Sequence, residues 1–118
     1  MNRMRKMNNK YGAIREYSSL CQRTFASKKE CRRGEELHLL EKAGEIAYLE
    51  YQVKFVLSEK PRVTYTADFR YLKNIRCIGG GLYDGTPVVE DSKGVLTRDT
   101  RTKLAWMKEK YNIDVILS

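Results

Sequence analysis

The chain has 118 residues, 42% apolar and 32% charged, with a net charge of +8, which fits one domain with a single modest core. No apolar run approaches the ~18 residues of a membrane span and the polar N-terminus lacks a signal peptide's hydrophobic stretch, so a cytoplasmic protein with no membrane partner is expected. Cys21, Cys31 and Cys77 are odd in number and form no C-x-x-C pair, which argues against a disulfide framework and a zinc site; a Ser-His-Asp triad would rest on His38, the one histidine.

The excess charge sits at the start of the chain. Residues 1–33 hold ten Lys and Arg against Glu16 and Glu30, while the remainder is balanced at thirteen of each sign. Arg3, Arg5, Lys6 and Lys10, followed by Lys28 and Lys29, are the electrostatic footprint expected of a nucleic-acid binder, and a solubilising basic tail is the plainer alternative. Residues 1–24 read as a basic arm in front of a core at 25–118, with residues 1–10 poorly anchored without DNA.

Ser27 opens a helix, with Glu30 at its third position completing a capping box. At about 100° per residue, Leu37, Leu39, Leu40 and Ala43 make the buried arc, with Glu36 inside it and Glu30 at its edge, so both glutamates can look toward a sheet. Ala43-Gly44 ends the helix. Residues 46–57, dense in β-branched and aromatic side chains, read as the first long strand, and Gln52 there reads as an exposed strand residue or a side chain turned to a site. A turn from Ser58 to Arg62 leads to the strand V-T-Y-T-A-D-F-R. Asn74 to Pro87, with its G-G-G and D-G, reads as a flexible connection; it lacks the Gly-Lys-Ser/Thr ending of a phosphate-binding loop. T-P-V-V-E-D-S-K-G follows as the next strand. A second helix is expected from about Asp99 to Tyr111, capped by Asp99 or Thr100, with Leu104, Met107 and Tyr111 as its stripe and Trp106 as a core anchor. I-D-V-I-L then closes the sheet as a final strand.

Alternation places the acids. Tyr65, Ala67 and Phe69 share one face of their strand, and Asp68 lies with Thr64, Thr66 and Arg70 on the other. Val89, Asp91 and Lys93 share a face of the next strand. If the polar faces agree, Asp68, Asp91 and Lys93 converge and Glu90 is left behind the sheet. Two carboxylates from adjacent strands suit a hard cation such as Mg²⁺, and a lysine beside them can orient water and stabilise charge on a phosphate, which is the chemistry of phosphodiester hydrolysis. A solvated strand face with a weak Asp–Lys pair is the plain alternative, D-x-K being a common triplet.

Asp68, the triplet Asp91-Ser92-Lys93 further along and the helix opening S-K-K-E together resemble the PD-(D/E)xK nuclease superfamily. The strings N-K-Y-G-A (9–13), F-A-S-K-K-E (25–30), L-L-E-K-A-G-E-I (39–46), Y-Q-V-K-F (51–55), Y-T-A-D-F (65–69) and V-V-E-D-S-K-G (88–94) are similar, in the same order, to a phage-encoded branch of it; Ala67 stands where the superfamily usually has Pro. The resemblance implies an α/β restriction-endonuclease-like αβββαβ core, a mixed central sheet with helices packed on it. It implies a Mg²⁺- or Mn²⁺-dependent DNA endonuclease in which Asp68 and Asp91 bind metal and Lys93 polarises the water. Glu30, with Glu36 in reserve, completes the metal site. Gln52, matching the glutamine of a Q-x-K-F string, helps hold water or a phosphate, and Lys103 contacts a phosphate. Small phage nucleases of this kind point to recombination or replication, and a domain with little room for sequence reading favours branched or junction DNA recognised by backbone shape. Paired cuts need two sites, hence a homodimer. The rival readings are a catalytically inactive DNA-binding accessory protein of the same fold, and a factor whose basic face meets an acidic protein surface.

Overall fold

The computed structural model of the protein describes residues 14–93 and 96–118. A short hairpin, β1 (Glu16–Ser18) and β2 (Arg23–Phe25), precedes helix α1 (Lys28–Lys42). Three long strands follow, β3 (Ala47–Glu59), β4 (Arg62–Gly79) and β5 (Leu82–Asp91), then helix α2 (Arg98–Tyr111) and the two-residue strand β6 (Ile116–Leu117). The main sheet runs β3-β4-β5-β6, antiparallel except for the parallel β5–β6 pair, so it is mixed and the fold is α/β. A parallel neighbour needs a crossover, and α2 is that crossover.

Residues 14–24, expected as part of a basic arm, are thus largely a folded hairpin. Phe25 is 1% exposed, Ser18 Oγ donates to Glu35 of α1 at 2.6 Å, and the Arg23 guanidinium lies 4.2 Å from the Tyr51 ring centroid. Strands of three residues carry too little periodicity to be read from sequence. Arg3, Arg5, Lys6 and Lys10 lie outside the described residues.

Helix α1 begins as expected, Ser27 Oγ accepting from the Glu30 amide at 3.1 Å. It ends at Ala43 in a Schellman arrangement: Gly44 takes φ +81°, Glu45 N donates to Leu40 O at 2.9 Å and Gly44 N to Glu41 O at 3.1 Å. Its buried face differs from the expected arc. Glu30, Cys31, Gly34 and Leu37 face inward, whereas Leu39 and Leu40 are 55% and 36% exposed and Ala43 is exposed. The contact is centred on Gly34, whose missing side chain admits the Phe25 ring, and this turns the helix away from its leucine-rich stripe.

The expected connection from Asn74 to Pro87 is mostly strand. β4 and β5 continue as an antiparallel ribbon to a turn at Gly80-Gly81, with irregular pairing between Lys73 and Arg76 and between Cys77 and Gly79. Gly79, Gly80 and Gly81 all have positive φ, the conformation a tight hairpin turn demands. Helix α2 starts one residue before the expected span and is capped by Thr97, whose Oγ1 accepts from the Thr100 amide at 3.1 Å.

Two apolar clusters form the core. One joins Phe25, Cys31 and Leu37 to Phe69, Tyr71 and Val88; the other joins Phe55, Leu57, Tyr65, Ala67 and Val89 to Met107 of α2, with Leu104 and Trp106 packed against it. Val88 and Val89 go one to each cluster, as alternate residues of a strand should. Strand β4 departs from that period. Tyr65 and Ala67 belong to one cluster and Phe69 to the other, so the alternation expected across 65, 67 and 69 is interrupted at Asp68. Opposite this point Gln52 of β3 has φ +52°, while the pairing with β4 keeps its register on either side. No helix among the described residues is long and apolar enough to cross a membrane.

Candidate active site

The interruption in β4 is where the polar groups gather. Asp68 is 9% exposed, sunk between the two clusters instead of facing away from them. Beside it, at the C-terminal end of β5, Asp91 is fully buried, and from the first turn of α1 Glu30 enters at 5% exposure. Lys93, just past β5, keeps 31% of its side chain in solvent.

Each carboxylate has a different set of partners. Asp68 Oδ2 accepts from the Ser92 amide at 2.8 Å and Oδ1 from Gln52 Nε2 at 3.2 Å. The same Gln52 nitrogen donates to Glu30 Oε2 at 2.9 Å. Asp91 Oδ2 accepts from the Tyr65 hydroxyl and lies 3.4 Å from Lys93 Nζ. Lys29 Nζ donates to the Lys93 carbonyl at 3.3 Å, tying the start of α1 to the end of β5. Among the described residues, Asp91 Oδ1 is the one buried side-chain polar atom with no partner.

Three buried carboxyls beside one ammonium cannot all be comfortably ionised. Burial, then the neighbouring Asp91 side chain, which favours a proton on Asp68, then the charges of Asp91 and Glu30, push the Asp68 carboxyl up to about 8; the Ser92 amide opposes this. Burial and the Asp91 charge also raise Glu30, against the Ala26 amide and Lys93. Burial first, and Asp91 second, raise the Tyr65 hydroxyl, so it stays a neutral donor.

Among the described residues no three of His, Cys, Asp and Glu are placed to hold a metal ion as they stand. The reason is visible in the bonding: the Gln52 amide stands between Glu30 and Asp68, while Tyr65 and Lys93 draw Asp91 the other way. The donor chemistry nevertheless fits a hard cation. All the acceptors are carboxylate oxygens, and a buried oxygen without a donor costs about 1–3 kcal/mol that a proton or an ion would relieve.

Residues 8–117 match the family model described as "Protein of unknown function (DUF1064)". The chain belongs to the DUF1064 family. No curated protein and no solved structure matches it. The matched span of this DUF1064 protein contains Glu30, Gln52, Asp68, Asp91 and Lys93.

Of the other expected site residues that the structure describes, Lys29 reaches the group through its bond to the Lys93 carbonyl and the rest lie apart from it. Glu36, held in reserve for the site, is 60% exposed and pairs with Arg33 at 3.1 Å, because α1 presents Glu30, not the next turns, to the strand ends. Lys28 and Lys29 are exposed on the first turn of α1. Lys103 lies on α2, 3.4 Å from Asp99. Glu90 is turned away from Asp91 and is 1% exposed in a network of its own: Arg33 reaches it with Nε at 2.5 Å and Nη2 at 3.1 Å, and Tyr71 donates to it at 2.7 Å. The Arg33 hydrogen bonds and the Tyr71 hydroxyl hold the Glu90 carboxyl below its usual range even though burial alone would raise it. Tyr65 and the Arg33–Glu90–Tyr71 network carry no local signal; a tyrosine three residues before an acid reads simply as an apolar strand position.

Proposed function

We propose that this protein is a metal-dependent DNA endonuclease that hydrolyses phosphodiester bonds. One observation carries the reading: carboxylates from α1, β4 and β5 meet beside a lysine ammonium, with a buried Asp91 oxygen lacking any partner. The resemblance of the same residues to the PD-(D/E)xK pattern supports it, as does the order helix, three antiparallel strands, helix, parallel strand.

Asp68, Asp91 and Glu30 would hold Mg²⁺ or Mn²⁺. Such an ion, when bound, polarises a phosphoryl oxygen and makes water a better nucleophile. Lys93 stands at the solvent side of Asp91, where its ammonium can orient the attacking water and offset charge growing on the phosphate. Tyr65 fixes the orientation of Asp91, and the Ser92 amide that of Asp68. Next to Ser92 opens a cleft of about 270 Å³ whose walls include Lys29, Arg32 and Arg33, a track suited to flanking backbone phosphates. In this reading the substrate is DNA recognised by backbone shape, such as a flap or junction arising in phage recombination or replication, cut by a homodimer with two sites.

The test is cleavage of labelled linear duplex, flap and four-way-junction DNA with Mg²⁺ or Mn²⁺. Asp91→Asn and Lys93→Ala should each lower the rate by about 100-fold or more with DNA binding retained. A wild-type protein that binds these DNAs and cuts none would make it a non-catalytic DNA-binding protein.

A further inference from the structure

Gln52 has an unusual backbone and an unusual pair of partners. Its φ of +52° is left-handed, uncommon for any residue but glycine and out of place in the middle of a strand. The flanking pairs Tyr51↔Phe69 and Val53↔Ala67 keep their register, so Gln52 falls opposite Asp68. From there one amide nitrogen donates to Glu30 at 2.9 Å and to Asp68 at 3.2 Å. A glutamine amide has two N–H groups, and this one spends both on carboxylates of the same sign. Residues held in strained conformations persist where surrounding contacts repay them, and here the repayment is a pair of hydrogen bonds to two buried acids. β3 is an edge strand and Gln52 is exposed, so its side chain has room to leave.

We propose that Gln52 is a built-in stand-in for the cation: it bridges Glu30 and Asp68 while no metal is present and must release both for the ion to enter. The inference rests on the metal-dependent reading above. Its consequence is thermodynamic. Whatever stabilises the metal-free site subtracts from the apparent affinity for metal, so loss of Gln52 tightens binding. A glutamine that held the metal or its water would have the opposite effect.

Calorimetric titration of the full chain with Mn²⁺ separates these outcomes. Gln52→Gly keeps the left-handed backbone without strain and deletes the amide; it should bind Mn²⁺ about tenfold more tightly and gain more in melting temperature on metal addition than wild type. Gln52→Asn, which tolerates the backbone but is too short to bridge both acids, should shift affinity in the same direction and serves if the glycine variant does not fold. Gln52→Lys installs a permanent ammonium and should weaken binding about tenfold or more. Weaker or unchanged Mn²⁺ binding by Gln52→Gly and Gln52→Asn, with wild type binding, would overturn the stand-in role alone. A folded wild type that binds no Mn²⁺ at millimolar concentration would remove the metal reading, and this inference with it.

Discussion

Asp68 shows how burial decides the chemistry of a single residue. Its carboxyl is pushed up to about 8, against about 3.9 in an unfolded chain. Between those values the folded protein holds a proton that the unfolded chain has released, so raising the pH favours unfolding. In EDTA the melting temperature should therefore fall as pH rises from about 5 to about 8, and Asp68→Asn should flatten most of that slope, Glu30 supplying the rest. On the proposed function a metal ion would displace the same proton, so Mn²⁺ affinity should climb over this interval and calorimetry in buffers of different ionisation enthalpy should detect the release. A melting temperature independent of pH in EDTA, identical in wild type and Asp68→Asn, would mean that Asp68 is already ionised at neutral pH. The closeness of Asp91 and Lys93, 3.4 Å apart, was legible because the D-x-K spacing puts both on one side of the chain. The exposure of Asp68 was not, since alternation assumes a regular strand and this one is interrupted at the acid itself.

At the scale of elements, α1 is what brings Glu30 to the strands, and its seat depends on two contacts. Arg33 clamps it to β5 through buried Glu90, and Gly34 lets it close on Phe25. A Cβ at Gly34 would stand 2.7 Å from Phe25 Cζ and 2.9 Å from Cε1, with Phe25 buried at 1% exposure. Ala is ordinarily better than Gly inside a helix by about 1 kcal/mol, but overpacking a full core costs about 1–3 kcal/mol, so the clash wins. Gly34→Ala should lower the melting temperature by several degrees, and Phe25→Leu in the same chain should recover part of the loss. Melting temperatures of the two variants check this; a stabilised Gly34→Ala would show that Phe25 moves aside freely. The helix ends were readable from Ser27 and Gly44, whose capping chemistry is local. The buried face was not, because Gly34 and Phe25 decide it and neither belongs to the apolar stripe. The same limit applies to the glycine-rich run, where three positive-φ glycines make a hairpin turn between strands instead of a loose connection.

Across the whole molecule, charge is divided unequally. The excess of eight positive charges lies within residues 1–33, and the sites at its two ends differ in kind. Lys29 and Arg32 stand on α1 beside the carboxylate group, fixed by the helix. Arg3, Arg5, Lys6 and Lys10 precede the described residues and add four charges. If both sets meet phosphates, they contribute separably to DNA affinity, since each neutralised phosphate of a duplex adds about 0.9 to the salt slope. Removing residues 1–13 should therefore reduce the slope of log K against log salt by about 3–4 while the remaining slope persists. Lys29→Ala with Arg32→Ala should lower the slope by about 2 and, on the proposed function, cleavage along with it, because those side chains line the cleft next to Ser92. Fluorescence anisotropy of labelled duplex at graded salt measures both. An unchanged slope on removal of residues 1–13 would assign the arm to solubility and leave DNA recognition to the cleft beside Ser92.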